Sequence, residues 1–193
     1  MPIQRCPRAG LLPMVVALLL GIPCATPTSA QFKLPGSFGS GFGGDAGNPV
    51  TVDAQFTGDT AQRPAVLMIT ANIEPGWHVY SLTQPAGGPM KTQIEVDQSL
   101  DYRLLGPFRA YPKYKSHIDQ IAWVGLELQE HAGRVTWYAP VEFAEGVDPQ
   151  QVAITGTVRG QACKESCIPI KFQFEARLGS GVRIGELAFG ETT

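Results

Sequence analysis

The sequence predicts an all-β chain folded as an immunoglobulin-like antiparallel β-sandwich. Three observations carry that prediction. From Pro49 onward, apolar residues recur with period two in almost every apolar segment. Those segments are short and are broken by Gly, Pro and Asp turns. No stretch holds a 3.6-residue period over a dozen positions. About eight short strands over roughly 130 residues is the pattern of two packed antiparallel sheets.

The chain of 193 residues is long enough for one domain with a real core. Charged residues make up only 17%, and the formal net charge is −2. There is no basic patch and no run of like charge, which argues against nucleic acid as a partner.

Residues 1–30 read as a secretory signal peptide. Arg5 and Arg8 make a positive start, LLPMVVALLLGI is an apolar run, and small residues lead to a cleavage site after Ala30. The apolar run is too short to span a bilayer comfortably. Cleavage would remove Cys6 and Cys24 and leave Cys163 and Cys167 as the whole thiol content. The expectation is a soluble periplasmic or secreted protein in an oxidising compartment, with no membrane span in the mature chain. Residues 31–48 contain a glycine-rich stretch without apolar periodicity and read as a flexible leader.

The domain is expected over 49–180, followed by a tail at 181–193. PVTVDAQF alternates through Val50, Val52, Ala54 and Phe56. VLMITANI (66–73) is a longer strand-like run. GWHVYSL (76–82) sets Trp77 and Val79 on one side and Tyr80 and Leu82 on the other. Core packing is the expected role of Trp77, Tyr80 and Trp137, and His78 is expected at the surface or half-buried. TQIEV (92–96) and DYRLL (101–105) are short candidates. VTWYAPVEF (135–143), VAITGTV (152–158) and IPIKFQFEARL (168–178) complete the series. Residues 106–125 break the pattern, carrying several aromatic and basic residues with little alternation. They read as a long loop of the kind that is often functional.

GQACKESCIPI (160–170) carries the chemistry. As a staple, a Cys163–Cys167 bond would close a five-residue loop, worth about 2 kcal/mol in the chain-entropy model. It could not form along one extended strand, because four residues span roughly 13 Å and bridged Cα atoms lie about 4.4–6.8 Å apart. The chain must therefore turn at Lys164–Ser166 between two strands. A metal site would need further ligands from afar, with His78, His117, His131, Met68 and Met90 on offer. A redox pair needs proximity, access and a thiolate. Lys164 and Lys171 would favour a thiolate and Glu165 would oppose it.

The stretch GQACKESCIPI resembles the active-site hairpin of the N-terminal periplasmic domain of the DsbD family of thiol-disulfide interchange proteins. EPGWHVYSLTQPAGGPMKTQIEV (74–96) and EHAGRVTWYAPVEF (130–143) are similar to the family in the same order, so that the resemblance covers about 50–180. It implies an immunoglobulin-like fold with the two cysteines on neighbouring strands. It also implies a thiol-disulfide relay that uses the redox-active disulfide Cys163–Cys167, with no cofactor or metal. The second cysteine, Cys167, would form mixed disulfides with thioredoxin-like periplasmic partners. A loop with aromatic residues would cap the pair at rest, and Tyr111 and Tyr114 are the nearest candidates. The sequence departs from the family in its three-residue turn, which is longer in familiar members, and in Ile170, where a second proline is common. The chain ends at Thr193, without membrane helices or a thioredoxin-like domain, so the electron donor is expected to be a separate membrane protein. Two other classes stand beside this reading: a non-catalytic immunoglobulin-like binding module with a local disulfide, and a periplasmic copper carrier.

Overall fold

A computed structural model describes residues 47–59 and 63–179. The expected signal peptide, nearly all of the expected leader and the expected C-terminal tail lie outside the described residues. Eleven strands follow in order: β1 (Val50–Phe56), β2 (Ala65–Ile73), β3 (His78–Tyr80), β4 (Gln93–Val96), β5 (Tyr102–Leu104), β6 (Arg109–Tyr111), β7 (Lys115–Ile118), β8 (Glu127–His131), β9 (Arg134–Phe143), β10 (Ile154–Cys163) and β11 (Cys167–Leu178). A 3-10 turn at Pro149–Gln151 precedes β10, with the Asp148 carboxylate accepting from the Gln150 N–H. The all-β sandwich expected from the sequence is the fold that the chain adopts.

One layer runs β5–β9–β2–β1, with β6 beside β5 along the same edge of β9. The other runs β11–β10–β3–β8–β7, with β4 continuing along the edge of β10 where β3 leaves it. β11 joins the two. Its body pairs antiparallel with β10, while Arg177 and Leu178 pair parallel with Gln55 and Phe56 of β1.

Period two is what makes these strands two-faced. In β9, Val135, Trp137, Ala139 and Val141 are buried and the residues between them are partly exposed. In β11, Ile170, Phe172, Phe174 and Ala176 point inward in the same way. Of these, Val135, Trp137, Ile170, Phe172 and Phe174, together with Val50, Ile69, Ala71, Val79 and Val158, fill the space between the layers. A second cluster around Phe56, Leu67, Tyr102 and Ile154 closes the opposite end. Gly156 allows the close approach of β4, since a Cβ there would collide with the Glu95 carbonyl and the Phe174 ring.

The segment expected as one long loop, 106–125, contains β6 and β7 and leads into β8. β6 pairs with β9 in one layer and β7 with β8 in the other, so the chain crosses between sheets at Pro112–Tyr114. All four residues of β7 are exposed, which is why no alternation marks this edge strand. β10 runs past the alternating stretch 152–158 and reaches Cys163, as the expected turn at Lys164–Ser166 requires. Among the described residues no helix is long and apolar enough to cross a membrane.

Candidate functional site

The site lies at the tip of the β10–β11 hairpin. Cys163 and Cys167 stand opposite each other in the ladder and form a disulfide, with Cα atoms 4.1 Å apart. That separation belongs to the narrow, non-hydrogen-bonded pairs of an antiparallel ladder. Lys164, Glu165 and Ser166 make the turn, closed by the Lys164 N–H donating to the Ser166 carbonyl at 3.0 Å. The turn before β3 packs beside it. Gly76 adopts φ +83°, and a Cβ there would stand 3.1 Å from the Lys164 side chain.

The two sulfurs have different surroundings. Cys163 is 2% exposed and clusters with Tyr80 and Leu128, with Trp123 and Leu126 packed against them. Cys167 is exposed. Opposite residues on paired strands share a face. By register, Cys167 on β11, Cys163 on β10 and His78 on β3 form a row on the outer face of this sheet. Tyr80 lies on the same face, two residues after His78, opposite Glu130 of β8.

These side chains make a connected polar group. His78 Nε2 is 3.2 Å from Tyr80 Oη and 3.4 Å from a Glu130 carboxylate oxygen. The other Glu130 oxygen is 4.0 Å from His117 Nδ1 on β7. Burial pushes the Tyr80 phenol up to about 12, and the charges of Glu130 and then Asp119 add to the effect. Tyr80 therefore stays protonated at neutral pH. Its backbone is held by the Thr92 hydroxyl, which donates to the Tyr80 carbonyl at 2.5 Å. Just after β3, the Ser81 and Thr83 hydroxyls both donate to the Gln129 side-chain oxygen at 2.7 Å and tie β3 to β8.

The cover over Cys163 comes from the loop between β7 and β8. Trp123 packs edge-on against Tyr80, with ring centroids 6.4 Å apart. The Asp119 carboxylate accepts from the Trp123 N–H, the first cause of the lowered Asp119 pKa. Gly125 donates to the Asp119 carbonyl at 2.8 Å and closes the loop.

Of the residues singled out from the sequence, the structure brings together Cys163 and Cys167. Tyr111 is 45% exposed in β6, opposite Thr136. Tyr114 lies partly buried at the crossing between sheets, its ring edge-on to His131 at 6.3 Å. The apolar neighbours of Cys163 are Tyr80, Leu128, Trp123 and Leu126. Sequence reading missed the His78–Glu130 contact and the Trp123 cover. The alternation of His78 and Tyr80 was a usable signal, because it sets both on one face. Among the described residues, no three His, Cys, Asp or Glu side chains converge as a metal site would require.

No family model matches this sequence, and no curated protein sequence does either. Among solved structures, the chain is similar to the N-terminal periplasmic domain of ScsB from Proteus mirabilis, with 17% identity and a TM-score of 0.43. The match covers 67% of this chain and 45% of that one, so that the chain spans less than half of that chain's length.

Proposed function

We propose that this domain exchanges thiols and disulfides with thioredoxin-like proteins of the periplasm through Cys163 and Cys167. The observation that carries the reading is the asymmetry of a disulfide that closes only a three-residue turn. One sulfur is exposed at the hairpin tip and the other is 2% exposed behind it. A bond across so short a loop contributes little as a staple. An exposed sulfur with a partner directly behind it is what disulfide exchange needs. The likeness of 160–170 to the DsbD hairpin supports the same reading, and with it a membrane electron donor on a separate chain and a periplasmic location.

In this reading, the reduced domain attacks a partner disulfide with the Cys167 thiolate. The partner's S–S bond breaks, one of its sulfurs becomes a thiolate that stays on the partner, and the other forms a mixed disulfide with Cys167. The Cys163 thiolate then attacks the Cys167 sulfur, restores the Cys163–Cys167 bond and releases the partner as a dithiol. Two electrons pass to the partner, and the membrane donor returns them by reducing the disulfide. Tyr111 and Tyr114 stand as candidate caps in the same scheme, on a segment next to β7.

Trapping tests the assignment. Cys163→Ser should accumulate a mixed disulfide with a thioredoxin-like partner, visible on a non-reducing gel, and Cys167→Ser should not. Equal trapping by both variants removes the division of roles. No trapping by either, across several thioredoxin-like partners, overturns the relay.

A further inference from the structure

We propose that His78 is the proton acceptor for Cys163 in the resolving step, with Glu130 as its positioning residue; the inference builds on the exchange reading above. Cys163 has to become a thiolate to attack the mixed disulfide. Its surroundings oppose that, since Tyr80, Leu128 and Cys163 form one buried cluster and burial in apolar surroundings disfavours the charged sulfur. A base beside it removes the obstacle. His78 is the residue opposite Cys163 on the neighbouring strand and on the same face, where Cβ atoms of paired residues lie about 4.5–5.5 Å apart.

Two groups stand at one nitrogen of the ring. Glu130 stands 3.4 Å from Nε2, with Tyr80 Oη 3.2 Å from the same nitrogen. With its proton on Nε2, toward Glu130 and Tyr80 Oη, the ring would keep Nδ1 as the basic nitrogen. The titratable and charged groups around the ring come from several elements, including Asp119 of the loop after β7, whose charge reaches Tyr80. Tyr80 is on its own strand, Glu130 on β8, Cys163 on β10, His117 beyond Glu130 on β7, and Lys164 over the Gly76 turn. The His78 and Glu130 side chains are each 23% exposed, so the ring can pass its proton on to water.

The Cys163 thiol gives its proton to His78 and becomes a thiolate. The thiolate attacks the Cys167 sulfur, the Cys163–Cys167 bond forms and the bond from Cys167 to the partner breaks. The partner sulfur leaves with the electron pair and takes a proton from water, and the imidazolium returns its proton to solvent.

The test uses the reduced protein and 4,4′-dithiodipyridine in stopped flow. The first thiopyridone release reports attack by Cys167, and the second reports resolution by Cys163. His78→Gln should keep the first phase and slow the second at least about tenfold between about pH 6 and 7. The deficit should shrink only as pH rises past the ordinary thiol value of about 8.5, because burial disfavours the Cys163 thiolate. Glu130→Gln should slow the second phase less, and added imidazole should restore it in His78→Ala. An unchanged second phase in His78→Gln across the pH range overturns the proposal, as does equal slowing of both phases without imidazole rescue in His78→Ala. No protein partner enters this assay. It therefore judges His78 even if trapping with thioredoxin-like proteins fails.

Discussion

Cys163 and Cys167 face each other in register across one hairpin, yet the first is 2% exposed and the second lies open to solvent. The cause is their position at a sheet corner. β11 is the outer neighbour of β10 at this end, and among the described residues no further strand pairs with it there, whereas Cys163 has β3 on its other side. The loop that carries Trp123 then covers β3 and Cys163 from above.

That asymmetry should appear directly in alkylation of the reduced protein. Iodoacetamide should modify Cys167 at least about tenfold faster than Cys163, because the reagent needs an accessible thiolate. Peptide mass spectrometry over a time course measures both rates. Equal rates would mean that the burial of Cys163 does not survive reduction.

Removing the bond should cost little, because it closes so short a loop. Replacing both cysteines by alanine should lower stability by at most about 2 kcal/mol in urea melts. The serine pair should lose more, by about 1–3 kcal/mol, since Cys163→Ser would bury a hydroxyl against Tyr80 and Leu128. A double-alanine variant that fails to fold would restore the bond as a structural element.

Trp123 holds the cover in place, and trimming it should uncover the pair. Trp123→Ala loses the edge-on contact with Tyr80 and part of the packing over Cys163. A partly exposed tryptophan should cost less than the roughly 3–5 kcal/mol typical of a buried one, about 1–3 kcal/mol. Alkylation of Cys163 in the reduced variant should rise toward the rate of Cys167. An unaltered Cys163 rate would show that β3 and β8 shield the sulfur without the loop.

The long strands were legible in the sequence because their burial alternates. β1, β9 and β11 start and stop within one residue or so of the expected ranges. β6 and β7 were not legible, for a physical reason. Three or four residues hold barely two turns of a period-two pattern, and β7 has no buried side chain to mark it. The cysteine hairpin was legible once a bond between Cys163 and Cys167 was supposed, since that bond requires a turn at Lys164–Ser166. What stands across from Cys163 was not. The pairing of β10 with β3 joins residues more than eighty positions apart, and nothing in GWHVY names its neighbour. Tyr80 was expected among the packed aromatics and is 1% exposed, but its covering partner, Trp123, comes from the very segment that showed no pattern.

His131 sits in the core, which requires its neutral form. It is 3% exposed, opposite Val79, with the Tyr114 ring edge-on to it and no hydrogen-bond partner at Nε2. Burial lowers its pKa to about 4, against about 6.5 for an exposed histidine. As pH falls through about 6.5, the unfolded chain takes up a proton that the folded chain refuses until about pH 4. The unfolded state thus binds more protons in that window, and stability must fall as pH falls across it. The loss from this group is complete below about pH 4. It amounts to a few kcal/mol at most, since each tenfold difference in proton affinity between the two states is worth about 1.4 kcal/mol. Carboxylates titrate near the lower end of the window as well, so the comparison has to be with a variant. His131→Leu removes the titrating group together with a buried nitrogen that lacks a partner. It should match or exceed the wild type at pH 7, and its urea midpoint should fall less steeply from pH 6.5 to pH 4. Parallel midpoint curves for the two proteins would show that His131 is hydrated in the folded state and titrates there much as it does in the unfolded chain.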